Sequence, residues 1–333
     1  MTTLNDVAKR AGVSPMTVSR VINNSGYIHQ KTRAKVEAAI AELGYVPNAL
    51  ARSLRFKQTK TLALILTDIT NPFFTTLARG VEDVASERGF SVIFCNTDES
   101  REDEAEYLNV VARKQVDGIL LVPAFSSRDS VDFLRECAIP FVVLDRRIPG
   151  LEVDIVRCDS VDGAYQLTRH LIEQGHRRIA ALTGSQMVTT AADRITGYHR
   201  ALAESGLEDL AAEYYGEFSV ESGYTMTQQA LALNPRPTAL FAANNFIAVG
   251  AFRAVREAGL RVPDDISVVA FDDLTEANII DPFLTVVSQP AYEIGYKATS
   301  LLLDRIAGKG PAEPQEIILP TQLIIRRSSA PLA

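Results

Sequence analysis

Apolar positions in the first 45 residues recur at helical spacing, whereas from Thr61 onward short apolar runs alternate with amphipathic stretches. In Leu4-Asn5-Asp6-Val7-Ala8-Lys9-Arg10-Ala11-Gly12-Val13-Ser14-Pro15-Met16-Thr17-Val18-Ser19-Arg20-Val21-Ile22-Asn23 the pattern predicts two short helices joined by a turn. Ala8 is small enough to let the helices approach, Gly12 supplies a left-handed turn, and Val18 points back into their contact. Ser14 is placed to cap the second helix, and Pro15 suits its first turn. Such a helix-turn-helix unit presents its second helix, N-terminal residues first, to a DNA major groove. A third helix is expected over 31–43, with Val36, Ala39, Ile40 and Leu43 on one face and Gly44 ending it. A further helix of about two turns, starting near Pro47 and reaching Leu54, would be marginal alone and would form only when something packs against it.

The remainder reads as β-rich runs at 61–66, 91–94, 118–122 and 141–144, then at 179–182, 239–242 and 266–271. Helical patterns at 74–88, 105–114, 163–173 and 247–258 fill gaps between them. Apolar strands alternating with helices imply parallel sheets covered on both faces. So many units suit two successive doubly wound α/β lobes, with the break near Asp159. The helix expected at 291–307 and the apolar run 316–325 would return across both lobes. The expected organisation is an all-α headpiece at 1–46, a hinge helix and linker at 47–58, and a two-lobed body at 59–333. Its first lobe is expected at about 59–159 plus 290–318, and its second at about 160–289 plus 319–328. In open parallel sheets, ligands bind beyond the carboxyl ends of the strands, so residues just after strands are the candidates.

Charge sharpens the division. The net charge of −7 hides ten Lys or Arg against three Asp or Glu in residues 1–60, and 24 against 38 in the rest. A basic headpiece on an acidic body suits binding of a polyanion by one end only. Cys95, Cys137 and Cys158 have neither a disulfide pattern nor metal-ligand spacing, and are expected to be buried reduced thiols. The polar N-terminus enters a helix at once, and no apolar run approaches the ~20 residues of a membrane span, so a cytoplasmic location is expected.

These features together resemble the lactose-repressor (LacI) family of bacterial transcription regulators over nearly the whole chain. The matching blocks include Asp6-Val7-Ala8, Thr17-Val18-Ser19-Arg20-Val21-Ile22-Asn23, Pro47-Asn48-Ala49, Gly175-His176-Arg177-Arg178-Ile179, Arg236-Pro237-Thr238-Ala239 and Val262-Pro263-Asp264-Asp265-Ile266. The resemblance implies a homodimer with two headpieces in adjacent major grooves of a pseudo-palindromic operator. It places Pro15, Met16 and Arg20 where the family reads bases. Arg20 can make a bidentate contact with guanine, Met16 offers only apolar contact, and Pro15 shapes the helix start. Thr17, Ser19 and Asn23 are expected at phosphates, with ordinary capping as the alternative for Thr17 and Asn23. By the same resemblance the hinge helix folds on the operator and Leu54 wedges into the minor groove; alternatively, Leu54 packs against the body.

In the body, Asn71, Phe73 and Phe74 follow the first strand, where the rings can face the C–H side of a sugar and the amide can both donate and accept. Asp145 and Arg146 follow another strand end, and a carboxylate beside a guanidinium suits hydroxyl groups. Arg194, Asn244 and Asp272 are expected at corresponding ends in the second lobe, with Phe218 and Gln289 near the lobe crossings. Taken singly, Asp145 and Arg146 could be a surface pair, Phe73 and Phe74 core, and Asp272 a helix cap. As a set they are similar to the pocket of the bacterial ribose-binding protein, of the periplasmic-binding-protein superfamily. That likeness implies ribose or a close pentose as the small-molecule effector, although purine-responsive members of the family share Asp145 and Arg194. Asn245 departs from the Asp that many relatives carry.

An enzyme is not expected. No Gly-x-Ser-x-Gly elbow and no phosphate-binding glycine loop follows a strand, and Gly308-Lys309-Gly310 reads as a loop. No metal or other cofactor is implied, and His176 is expected to be structural. The other readings are a regulator of another sugar, of a purine or with a protein coregulator, and an exported sugar-binding transport protein. The short segment after Arg327 has no apolar heptads for a coiled coil, so a dimer is expected.

Overall fold

The computed structural model describes residues 2–46, 58–274 and 281–332, and the chain divides into two compact units, Met1–Thr59 and Lys60–Ala333. Residues 47–57 of the expected hinge, Leu54 included, lie outside the described residues.

The N-terminal unit contains α1 (Leu4–Ala11), α2 (Pro15–Ile22) and α3 (Gln30–Leu43). Thr3 and Asp6 cap α1 reciprocally, the Asp6 carboxylate accepting from the Thr3 amide at 2.8 Å. Gly12 takes φ +68°, and Ser14 caps α2 by accepting from the Thr17 amide. Val7, Val18 and Val36, one from each helix, are fully buried beside Ala8, Val21 and Ala39. The pattern at the start of the chain thus becomes a three-helix cluster with α2 along one side.

The second unit has two six-stranded sheets of matching order. The first holds β1 (Thr61–Leu66), β2 (Ser91–Asn96), β3 (Gly118–Leu121), β4 (Phe141–Leu144), β5 (Ile155–Cys158) and the late β11 (Glu316–Leu319). The second holds β6 (Ile179–Thr183), β7 (Ala212–Tyr215), β8 (Ala239–Ala242), β9 (Ser267–Phe271), β10 (Thr285–Ser288) and β12 (Gln322–Ile324). Their spatial orders are β11-β5-β4-β3-β1-β2 and β12-β10-β9-β8-β6-β7, so β1 to β5 of one lobe correspond to β6 to β10 of the other. All pairings are parallel except that of β10 with β12. Helices α4 (Pro72–Glu87), α5 (Arg101–Arg113), α6 (Asp129–Glu136) and α11 (Ala291–Ile306) pack with the first sheet. Helices α7 (Ser160–Glu173), α8 (Thr189–Ala203), α9 (Val220–Leu231) and α10 (Asn245–Glu257) pack with the second.

The apolar run at 316–325 divides at Pro320, which has no N–H for a ladder, and its halves join different sheets. The chain therefore passes between lobes near Asp159, Gln289 and Pro320. These passages are tied together: the Asp159 amide donates to the Leu319 carbonyl at 3.0 Å, the Cys158 thiol to Gln289 Oε1, and Ser288 pairs with Gln322. One expectation fails at the cysteines. Cys95 and Cys158 are buried, but Cys137, just past the end of α6, is exposed because that helix turns its apolar Val131 and Leu134 inward. His176 is buried among Thr238, Ser267 and the Ala330 carbonyl, and burial pushes its pKa down, as suits a neutral structural imidazole.

Glycines set how closely the covering helices approach. A Cβ on Gly250 of α10 would lie 2.1 Å from the Val220 carbonyl oxygen, and one on Gly223 of α9 would lie 2.3 Å from that of Ile247. Backbone stands against backbone here, so no side chain can yield. Gly250→Ala is expected to destabilise the body by about 1–3 kcal/mol, lowering its melting temperature by roughly 2–10 °C. An unchanged transition in a calorimetric scan would mean that α9 and α10 separate at no cost.

Candidate functional site

Between the carboxyl ends of the two sheets lies a cavity of about 440 Å³, counting its opening to solvent. Asn71, Phe73, Phe74, Asp145, Arg146, Arg194, Phe218, Asn244, Asp272 and Gln289 all line it, joined by Asp68, Glu99 and Thr190.

The two aspartates hold equivalent places, immediately after β4 and β9. Both adopt a left-handed backbone, φ +60° at Asp145 and +68° at Asp272, a conformation Asp tolerates better than most residues. Each amide still donates to the neighbouring strand, Asp145 to Val156 at 3.0 Å and Asp272 to Val287 at 2.9 Å. The strand thus keeps its ladder to the last residue while its carboxylate enters the cavity. Asn71 and Asn244 sit at the N-caps of α4 and α10, accepting from the Phe73 and Ile247 amides at 3.0 and 2.8 Å. Pro72 at the first position of α4 sets the turn that carries Phe73 and Phe74. Their rings meet edge-on at 5.0 Å and are both core and cavity wall, so the two readings of this pair hold together.

Two expected placements change. Arg194 is in the second turn of α8, not at a strand end; a helical residue reaches the cavity because α8 starts beside it. Phe218 belongs to the loop between β7 and α9 and not to a lobe crossing. Its ring lies against Gly184, where a Cβ would come within 2.6 Å of it. Gln289 does sit at a crossing, and its amide donates to Asp272 Oδ1 at 2.6 Å.

Charge is concentrated and dry. Asp145 is 6 % exposed, Arg146 2 %, Arg194 3 % and Asp272 7 %, which rules out a surface pair at 145 and 146. Arg146 makes a bidentate pair with Glu99 at 2.5 Å and donates to the Pro123 and Ala124 carbonyls. Arg194 donates to the Ala243 carbonyl at 2.5 Å, with its guanidinium carbon 3.9 Å from the Phe271 ring centroid. Burial raises the Asp145 pKa, against the pull of Arg146 and Arg194. Burial likewise pushes Asp272 up to about 6, against Arg194 and the Gln289 hydrogen bond. Among the described residues, Asp145 Oδ1, Arg146 Nε and Arg194 Nε are buried without a hydrogen-bond partner. Buried polar atoms of this kind are costly unless something pairs with them.

Contacts between the lobes surround the cavity, and the strand-end reading did not single most of them out. Asn71 and Asn245 exchange amide hydrogen bonds at 3.2 and 3.1 Å, which places Asn245 at a contact between the lobes. Arg147 pairs with Asp193 of α8, and the Thr189 amide donates to Ser126 Oγ at 3.1 Å. Glu99 follows β2 and could have been found by the strand-end rule. Arg147 and Asp193 give no local signal, since they meet only when the lobes do.

In the headpiece, α2 turns Val18 and Val21 inward, while Pro15, Met16 and Arg20 are exposed, Met16 at 61 %. Thr17 Oγ1 lies 2.9 Å from Ser14 Oγ, and the Asn23 side chain donates to the Ser19 carbonyl at 2.7 Å and to its hydroxyl at 3.3 Å. Thr17, Ser19 and Asn23 therefore serve the ends of α2 as well as lying along it.

The raised pKa of Asp272 has a definite sign in stability. Its unfolded value is near 3.8 and its folded value about 6, so its contribution is fullest below pH 3.8 and is lost as pH rises through 6. Asp272→Asn removes that dependence. The variant should gain on the wild type by about 1.5 kcal/mol between pH 5 and pH 8 in urea unfolding. A constant difference across that range would show that the carboxylate does not titrate there.

No helix among the described residues is long and apolar enough to cross a membrane, and no His, Cys, Asp and Glu cluster among them could hold a metal ion. Residues 3–48 match the model for bacterial regulatory proteins of the lacI family, and 168–329 that of a periplasmic binding protein-like domain. The chain is 41% identical to the HTH-type transcriptional regulator DegA of Bacillus subtilis, across 99% of both chains. It is similar to the lac repressor dimer bound to operator and the anti-inducer ONPF, with TM-score 0.88 and 31% identity over 99% of each chain. It is also similar to a LacI family transcriptional regulator from Enterococcus faecium with bound ribose, with TM-score 0.74 and 34% identity over 82% of this chain and all of the other. A helix-turn-helix headpiece on a two-lobed binding-protein body, matched along nearly its full length, makes this chain a member of the lacI family of bacterial regulatory proteins.

Proposed function

We propose that this protein is a homodimeric, operator-binding repressor whose grip on DNA is set by ribose or a close pentose held between the lobes of its body. The observation that carries the effector reading is a set of buried polar atoms around one small cavity that lack a hydrogen-bond partner among the described residues: Asp145 Oδ1, Arg146 Nε and Arg194 Nε. A pentose supplies hydroxyls that donate to the carboxylates of Asp145 and Asp272 and accept from the guanidiniums and from the Asn71, Asn244 and Gln289 amides. Phe73, Phe74 and Phe218 provide apolar surface for its C–H faces. The ribose bound in the Enterococcus faecium relative supports the same choice.

Sugar bridging the lobes adds to the Asn71–Asn245 and Arg147–Asp193 contacts and favours the closed body. In this reading closure shifts the dimer interface of the first lobe and releases the operator. The headpieces read DNA through Arg20 and Met16, positioned by Pro15, with Thr17, Ser19 and Asn23 at phosphates. On the second lobe, Val249, Phe252, Leu260, Val262 and Phe283 line a shallow groove together with Arg253 and Arg256, and we assign this face to the second copy of the chain. We infer no enzymatic role. The buried thiol nearest the cavity, Cys158, is pushed up to about 12 chiefly by burial, which leaves it un-ionised and a poor nucleophile. Binding operator DNA places the protein in the bacterial cytoplasm.

The decisive experiment combines a thermal-unfolding panel of ribose, other pentoses, hexoses and purines with operator titration of the full-length dimer, on DNA selected from a random pool. Ribose at about 100 times its dissociation constant should stabilise the body by roughly 2.7 kcal/mol and weaken operator binding about 5- to 150-fold. Operator affinity indifferent to every ligand that stabilises the body would end the switch model, and a shift with purines alone would end the sugar assignment. For the headpiece, Arg20→Ala should cost about 1–3 kcal/mol of operator affinity and relax preference at one base position. Equal weakening on all DNA sequences would make Arg20 a phosphate contact.

A further inference from the structure

The repeated topology brings two equivalent residues together at a crossing between the lobes. Asp145 donates its amide to Val156 and Asp272 to Val287, and two residues beyond those carbonyls stand Cys158 and Gln289. Cys158 ends β5 of the first lobe, and Gln289 follows β10 of the second. The Cys158 thiol donates to Gln289 Oε1 at 2.7 Å, and Gln289 Nε2 donates to Asp272 Oδ1 at 2.6 Å. One amide is thus held at both ends, by a thiol of one lobe and a carboxylate of the other. The equivalent Asp145 differs: among the described residues its Oδ1 has no hydrogen-bond partner.

Cys158 does not line the cavity but stands directly behind a residue that does. It is 2 % exposed, with Ser160 Oγ 3.5 Å from its sulfur. Burial above all, helped by the Asp145 carboxylate, pushes the thiol up to about 12. It therefore keeps its proton, and can donate, throughout the range in which Asp272 titrates. An amide without that anchor regains side-chain rotation, and a donor no longer held in place does less for an ionised carboxylate. Arg194, on α8, and the Gln289 amide are what restrain the proton affinity of Asp272. The carboxylates facing it, Asp145 and Asp273, act the other way, and Asp273 is itself paired with Arg326 at 2.6 Å. Cys158→Ala alters none of these charges.

We propose that Cys158 is a positioning residue for the effector: through the Gln289 amide it keeps the Asp272 carboxylate ionised and ready to accept a hydroxyl of the ligand. The role toward the ligand rests on the pentose reading of the cavity, whereas the hold on Asp272 is a property of the protein alone.

Two measurements on the full-length dimer separate these. Without ligand, the difference in unfolding free energy between a chain and its Asp272→Asn derivative, followed in urea from about pH 5 to 8, gives the midpoint at which Asp272 titrates. Cys158→Ala should raise that midpoint by about half a pH unit or more, and Cys158→Ser, which restores a donor, should return it toward the wild type. Ribose is then titrated calorimetrically across the same range. Its hydroxyl donates to the ionised carboxylate, so affinity falls as pH drops through the Asp272 midpoint. Cys158→Ala should therefore weaken ribose about twofold or more near pH 6 and hardly at all near pH 8, again with rescue by serine. A loss equal at every pH, or one that serine does not repair, would make Cys158 a packing residue and overturn the proposal. An unmoved midpoint would do the same. Cys158→Val, which fills the space without a donor, takes the place of alanine if that variant fails to fold. Ribose that does not bind the wild type would remove the pentose reading, and the ligand-free midpoint would still decide whether Cys158 governs Asp272.

Discussion

The body is organised by the need to keep two carboxylates and two guanidiniums out of water between facing sheet ends. Removing a lone charge from water costs several kcal/mol even after relaxation, so none of these groups could stand alone. Arg194 is the keystone, because it attracts both Asp145 and Asp272 while its own plane rests on Phe271. The left-handed turns at the two aspartates, the caps made by Asn71 and Asn244 and the packing of Phe218 on Gly184 all place side chains around this centre. Compensation inside the protein is incomplete, which is what gives such a site appetite for a ligand rich in hydroxyl groups.

The elements that could be read from the sequence are those whose signal is local. Helices α1 to α3 carry their own caps and spacing, α1 and α3 end on a glycine, and β1, β4 and β8 are apolar runs bounded by breakers. Strand β7, Ala212–Tyr215, escapes because it is an edge strand with no fully buried residue. Helix α5 begins at Arg101, earlier than its apolar face suggests, because Ser100 caps a first turn made of charged residues. The strand-end rule found Asn71, Asp145, Asn244 and Asp272, since their places follow from strands that can be seen. Arg194 was expected at a strand end too, but it sits on α8, where its geometry depends on how that helix meets the ends of β8 and β9. The Asn71–Asn245 exchange spans 174 residues, and no window along the chain could reveal it.

Repetition of one topology in two lobes explains why the cavity is two-sided. Equivalent strand ends supply equivalent residues, with Asp145 answering Asp272 across the cleft. The lobes differ where it matters for recognition: the first brings the paired phenylalanines, and the second brings the helix-borne arginine. A ligand held by both is therefore gripped by unlike hands.

The three passages between the lobes carry a mechanical consequence. Hydrogen bonds join Asp159 to Leu319 and Cys158 to Gln289, and strand pairing joins Ser288 to Gln322, so the connectors form one strap and not three separate tethers. A strap of this width bends across its breadth but resists twist and sideways slip. The lobes are left with essentially one soft coordinate, a rotation that opens or shuts the mouth opposite the strap. Free energy released anywhere inside the cleft is then channelled into that single rotation, much as a door turns the same way wherever it is pushed.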